Sequence, residues 1–222
     1  MEQTLIRRFT IDKIATVYEE IGNKILATSR RAKLTNTDFS IISNNCWGGH
    51  VYRRYGLPYT SPTVGMYFFS EDYINFLENL ELYIHENPKM IHASQSKYAE
   101  ILHQKGQDDV PVGVLKGKIE VVFLHYSSMS EAYEKWNRRA ERVNMDNLIV
   151  KFSEMNHCTN EHILKFEELP FSKKVLLLAK EHENVKNGII VKRYTRNSEI
   201  SNDTLYYDSF VDLDELIIKP PC

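Results

Sequence analysis

Three short apolar runs are spread along the chain with helical patterns between them. They are Phe39-Ser-Ile-Ile42, Leu148-Ile-Val-Lys-Phe152 and Val175-Leu-Leu-Leu-Ala179. Apolar runs this short, bounded by turn and capping residues, suit strands buried inside a sheet. Strands separated by single helices need crossover connections, and these make a largely parallel sheet with helices on both faces. The expected fold class is therefore α/β, a three-layer α/β/α sandwich. Two further runs, Val110–Leu115 and Ile119–His125, flank Lys116-Gly-Lys118 and suit a hairpin, so the sheet is expected to be mixed.

The remaining elements follow from periodicity and caps. Ile11, Ile14, Ala15, Tyr18, Ile21, Ile25 and Ala27 recur at three- and four-residue steps, predicting a helix over 11–33 that ends in basic residues. Trp47, Val51 and Tyr55 share a helical face before Gly56-Leu-Pro58. Thr63–Phe69 suits a strand. Ser70 suits an N-cap for a helix to about Ile84, and Ser128 with Glu131 suits a capping box for a helix to about Val143. Thr159 suits a cap for a short helix that stops at Pro170. Residues 188–194 and 215–219 are expected to add edge strands. The domain reading is an N-terminal helical extension, 1–38, packed on a single domain, 39–222.

Composition narrows the function. Across 222 residues, 28 Lys and Arg oppose 30 Asp and Glu, which disfavours a general nucleic-acid binder. Cys46, Cys158 and Cys222 are an odd, widely spaced set, which suits a reduced cytoplasmic protein rather than a disulfide framework or a structural zinc site. No signal-peptide pattern or membrane-length apolar stretch is visible, and no metal site is expected. Neither the phosphate-loop pattern nor GxGxxG occurs.

In parallel sheets ligands bind outside the carboxyl ends of the strands. The first such junction is Ser43-Asn-Asn-Cys-Trp-Gly-Gly49. A helix start attracts anions, and Gly48 and Gly49 let a ligand approach the backbone. The same field lowers a thiol pKa, so Cys46 is a candidate nucleophile, against a plain buried cysteine. Asn44 and Asn45 are candidates to hold a carbonyl or hydroxyl. His125 sits where a strand yields to a helix and is a candidate base, alone or for Cys46. Arg139 falls on the apolar face of its helix beside Trp136 and Val143, so it either pairs internally or reaches a ligand phosphate. Lys151, at the end of a strand, is a candidate anion ligand. Asp212-Leu-Asp214 has a spacing that can hold a divalent ion, but paired aspartates are common by chance.

Several segments carry a family resemblance. They are Phe39-Ser-Ile-Ile-Ser-Asn-Asn-Cys-Trp-Gly-Gly-His-Val-Tyr52, Ser61-Pro-Thr-Val-Gly-Met-Tyr-Phe68 and Asp72-Tyr-Ile-Asn-Phe-Leu77. Phe123-Leu-His-Tyr126, Lys135-Trp-Asn-Arg-Arg139 and Asn144-Met-Asp-Asn-Leu-Ile-Val-Lys-Phe152 follow in order. Over about 39–180 the chain resembles a bacterial domain of unknown function, number 1919, whose members are often labelled exopolysaccharide biosynthesis proteins. Where that pattern would read Asp-Gly-Cys-Thr, this chain has Asn156-His-Cys-Thr159.

The resemblance implies a cytoplasmic α/β/α protein working on surface polysaccharide. With the residues above, the leading expectation is a transferase acting on a small-molecule or lipid-linked sugar precursor. In its sharpest form Cys46 accepts an acyl group and His125 is its base. Asn44, Asn45, Trp47, Gly48, Gly49, Arg139 and Lys151 line the ligand site. The co-substrate is a nucleotide sugar or an acyl donor. One alternative is glycosyl transfer in the same cleft with Cys46 structural. Another is a non-catalytic protein that binds a glycan or nucleotide sugar.

Overall fold

A computed structural model describes the backbone of residues 2–220 and the side chains of residues 17–220. Cys222 and the side chains of Ile11, Ile14 and Ala15 lie outside the described residues. The chain opens with α1 (Glu2–Arg31), β1 (Ser40–Ser43), α2 (Trp47–Tyr55), α3 (Ser70–Glu78) and α4 (Leu80–Ile84). Next come β2 (Lys89–His92), α5 (Ala99–Gln104), β3 (Pro111–Leu115), β4 (Ile119–Val122) and α6 (Met129–Ala140). It closes with β5 (Leu148–Ser153), α7 (Asn160–Glu168), β6 (Lys173–Leu178), β7 (Gly188–Ile190) and α8 (Leu213–Ile218).

The α/β class holds, with a parallel four-stranded sheet ordered β1-β5-β6-β7. Alternate side chains point to opposite faces of a strand, and the two faces bury different partners. Ile42, Val150, Phe152 and Leu176 pack with Tyr73, Phe76, Ile163 and Phe166 of α3 and α7. Ile41 and Ile149 pack with Trp47, Val51 and Tyr55 of α2 and with Leu213 and Ile217 of α8. The hairpin does not make this sheet mixed. It forms a separate antiparallel sheet ordered β2-β3-β4. Lys116 and Gly117, at φ 46° and 69°, reverse the chain within the three residues between the paired Leu115 and Ile119.

Other expectations are corrected. Residues 63–69 are not a strand but a bridge between the two sheets. The Phe68 N–H donates to the Asn44 carbonyl at 3.0 Å, and Tyr67 exchanges two backbone hydrogen bonds with Val122, each 2.9 Å. The helix expected to Ile84 breaks at Asn79. Ser70 is its first turn rather than its cap, because its hydroxyl is spent on the Met155 carbonyl at 2.7 Å. The next helix stops at Ala140 rather than Val143. Its capping box is half formed. Ser128 accepts from the Glu131 N–H, but Glu131 returns to Ser127. Residues 215–219 fall mostly in α8, capped by Asp212, and are not an edge strand.

The first helix is present but turned. Tyr18, Ile21 and Ile25 of the predicted stripe are exposed. The helix meets α2 through another face, which of the described stripe residues takes in Ala27. Glu19 bonds His50, Arg31 donates to the Gly56 carbonyl at 2.9 Å, and Ala27 sits where a Cβ on Gly56 would lie at 3.1 Å. No described helix is long and apolar enough to cross a membrane.

Candidate functional site

Parallel pairing sets Ser43 beside Lys151, so the carboxyl ends of β1 and β5 share a polar core. The Lys151 ammonium donates to Asn44 Oδ1 at 3.2 Å, to Asn45 Oδ1 at 2.9 Å and to the Asp203 carboxylate. Asp203 also accepts from Asn45 Nδ2 at 2.6 Å and from the Ser153 hydroxyl. The Asn44 amide clips Ser153, taking its N–H at 3.1 Å and giving to its carbonyl at 3.0 Å. Every one of these side chains is buried. Burial works against the Asp203 anion, but the Lys151 charge and the Ser153 and Asn45 hydrogen bonds hold its carboxyl below the usual range. Burial lowers Lys151 in turn, with Asp203 opposing. Lys151, Asn44 and Asn45 therefore form a buried internal clasp in which they spend these polar atoms on one another, on Ser153 and on Asp203. Sequence reasoning missed Asp203, which lies 52 positions after Lys151 in an irregular segment with no periodicity to mark it.

The start of α2 is likewise internal. Trp47 is buried, and its N–H is capped by Asn45 Oδ1 at 3.1 Å. A Cβ on Gly48 would meet Ile41 at 3.0 Å, and one on Gly49 would meet Val64 at 3.0 Å. These glycines admit neighbouring side chains, not a ligand. Arg139 is buried and braces the bridging segment, donating to the Val64 carbonyl at 3.1 Å and to the Tyr126 hydroxyl at 2.5 Å. Its guanidinium lies 4.9 Å from the Tyr59 ring centre. Internal pairing is thus its role.

Cys46 and His125 do approach a common place. The Cys46 thiol points at the Met66 carbonyl, 3.7 Å away, and the His125 N–H donates to the Gly65 carbonyl at 3.0 Å. No hydrogen bond joins the two side chains. Burial, followed by Asp203, pushes the Cys46 thiol up to about 11, against the pull of Arg53 and Lys151. A thiol in that state is protonated at neutral pH, which disfavours a nucleophile. His125 is exposed. Partial desolvation, then His50 and then Arg53, lower its pKa, so its imidazole is neutral at pH 7. Arg53 is exposed and has no ion-pair partner among the described residues.

Arg53 also opens onto a cleft of about 640 Å³ between α1 and α2, lined with Glu20, Asn23, Lys24, Leu57 and Tyr59. That volume suits a small-molecule ligand. A larger cleft, about 900 Å³, includes Leu77–Leu82 and Leu169–Ser172 and lies at the amino-terminal ends of β5 and β6, away from this chemistry. The Asp212 and Asp214 pair is spent. Asp212 caps α8 at 3.0 Å, and Asp214 accepts from the Tyr55 hydroxyl. Among the described residues no group of three His, Cys, Asp or Glu is placed to hold a metal ion. His50, Arg53 and Tyr59 were not singled out from sequence as members of this site, although the basic pair at 53–54 on one turn was a visible signal.

An uncharacterized protein of Haemophilus influenzae is 29% identical over 186 residues, covering 80% of this chain and 84% of that protein. The profile of the domain of unknown function DUF1919 matches residues 17–215. That match takes in both sheets, the clasp and His125, and the chain belongs to the DUF1919 family.

Proposed function

We propose that this protein is a cytoplasmic transferase that acts on a phosphate-bearing sugar precursor in bacterial surface-polysaccharide synthesis. The observation that carries the reading is an exposed His125 imidazole kept neutral partly by the charge of Arg53, which has no ion-pair partner among the described residues and also lines the α1–α2 cleft. An arginine fork suits a phosphate. A neutral imidazole suits removal of a hydroxyl proton near pH 7. The acceptor oxygen attacks the sugar carbon, and the carbon–phosphate oxygen bond breaks. The electron pair leaves on the phosphate held by Arg53, and the proton passes to His125. Cys46, held as a thiol, is structural here, so glycosyl transfer is favoured over acyl transfer.

The test incubates the full chain with a panel of nucleotide sugars and glycan acceptors and reads products by mass spectrometry. The expected result is transfer that His125→Ala abolishes. Tight donor binding without turnover across the panel overturns the transferase in favour of a binding protein.

A further inference from the structure

Among the described residues, two buried polar atoms beside the α1–α2 contact lack hydrogen-bond partners, and both belong to residues lining one small cavity. Tyr207 is 1% exposed, and its hydroxyl is unmatched. The Asn23 side chain lies near it without reaching hydrogen-bond geometry. Arg54 gives Nη1 to Asp208 at 2.5 Å, but its buried Nε–H has no acceptor. Leaving a buried donor unmatched costs about 1–3 kcal/mol, so such atoms point to a missing partner. The cavity measures about 150 Å³ and is bounded by α1, by α2 and by residues 205–208. That is the bulk volume of about five waters.

The rim is aromatic. Tyr18 is 73% exposed and Tyr206 47%. Tyr206 is also held at φ 60°, a left-handed conformation that costs a side chain with a Cβ roughly 1–2 kcal/mol. Strain of this kind gathers at ligand sites. Of the charged groups in the wall, Arg54 pairs with Asp208, Glu19 bonds His50, and Arg30 donates to Asn23 Oδ1 at 2.8 Å. Two of the wall's charges thus oppose a dianion, Glu19 and Asp208, which leaves the two arginines no net excess. A sugar ring gains more, because its C–H face covers a tyrosine and its hydroxyls both accept and donate.

We propose that this cavity binds the hydroxyl edge of one sugar ring, with Tyr18 and Tyr206 at its rim. Tyr207 and Arg54 supply the hydrogen bonds. His50 lies between the cavity wall and His125. Its Nδ1 meets Glu19 at 2.8 Å, its ring centre is 5.3 Å from that of Tyr207, and it is one of the groups that lower the His125 pKa. As an acceptor subsite the cavity rests on the transferase reading above. As a sugar site it stands on its own walls.

Saturation-transfer NMR on the full chain tests it, with methyl glycosides of glucose, galactose and N-acetylglucosamine and with inorganic phosphate as competitor. At least one glycoside should receive saturation on its ring protons, and phosphate should not displace it. Tyr207→Phe should weaken binding about tenfold, the value of one good hydrogen bond, without lowering the unfolding midpoint. Tyr206→Gly should raise the midpoint and still weaken binding, a split that a purely structural tyrosine would not give. The site is overturned if no glycoside is saturated, if both substitutions leave affinity unchanged, or if phosphate competes. Glycoside binding without any transfer sinks the transferase and leaves the site. Transfer in a protein whose glycoside binding ignores both substitutions does the reverse.

Discussion

Lys151 and Asp203 form an ion pair in which neither side chain has any solvent exposure. The pair ties the end of β5 to the irregular segment between β7 and α8. Asn44, Asn45 and Ser153 satisfy its remaining polar atoms. A carboxyl-end crevice that fold rules mark for ligand binding is therefore closed by the chain's own Asp203. The open chemistry moves outward, to His125 and Arg53.

Removing one partner of a buried pair leaves a charge uncompensated, at about 3–5 kcal/mol. Asp203→Asn should lose stability on that scale in urea unfolding. The double change Lys151→Met with Asp203→Leu should lose less. Additive losses would show that the two groups are not coupled. The pH sign follows from the depressed Asp203 carboxyl. Its contribution is present above the unfolded-state pKa and is lost as pH falls through the folded one. The gap between wild type and Asp203→Asn should accordingly shrink in acid.

Cys46 should resist iodoacetamide at neutral pH, because burial keeps it protonated. Labelling should rise on unfolding. Mass spectrometry of the native protein showing rapid, selective modification of Cys46 would contradict this.

His125 should titrate below an ordinary histidine in an NMR pH series. Arg53→Gln removes one of the positive neighbours that lower it, so the pKa should rise. Arg53→Lys should keep it low. A titration unmoved by Arg53→Gln would show that burial and His50 account for the shift.

Asn156 and His157 both adopt left-handed conformations, at φ 56° and 64°. Asn156 is tied by its amide to the Phe68 carbonyl and by its Oδ1 to Lys105. His157 makes an edge contact with Phe69 at 5.7 Å. His157→Gly should raise stability by about 0.5–1 kcal/mol, the strain relieved less the contact and entropy lost. A lowered thermal midpoint would mean that the Phe69 contact outweighs the strain.

The parts of this molecule legible in sequence were those fixed by local rules. β1, β5 and β6 were visible as apolar runs, and α2 and α7 as periodic segments with caps. Thr159 and His162 form the reciprocal cap that the sequence suggested in part. Residues 63–69 carried the composition of a strand, yet their hydrogen bonds are divided between two sheets. The apolar stripe of α1 identified a helix but, Ala27 apart, not the side that packs, since Tyr18, Ile21 and Ile25 are exposed while Asn23 is buried. The candidate site was half legible. His125 was marked by its junction. Arg53, His50 and Asp203 were not, because their roles depend on contacts between distant segments.

The most direct measurement compares glycosyl transfer by wild type, His125→Ala and Cys46→Ala under single-turnover conditions. If His125 is the base, His125→Ala should slow transfer by about 10²–10⁴-fold, while Cys46→Ala stays within a few-fold of wild type. An inactive Cys46→Ala beside an active His125→Ala would contradict the account, as would a wild type that transfers no sugar from any donor.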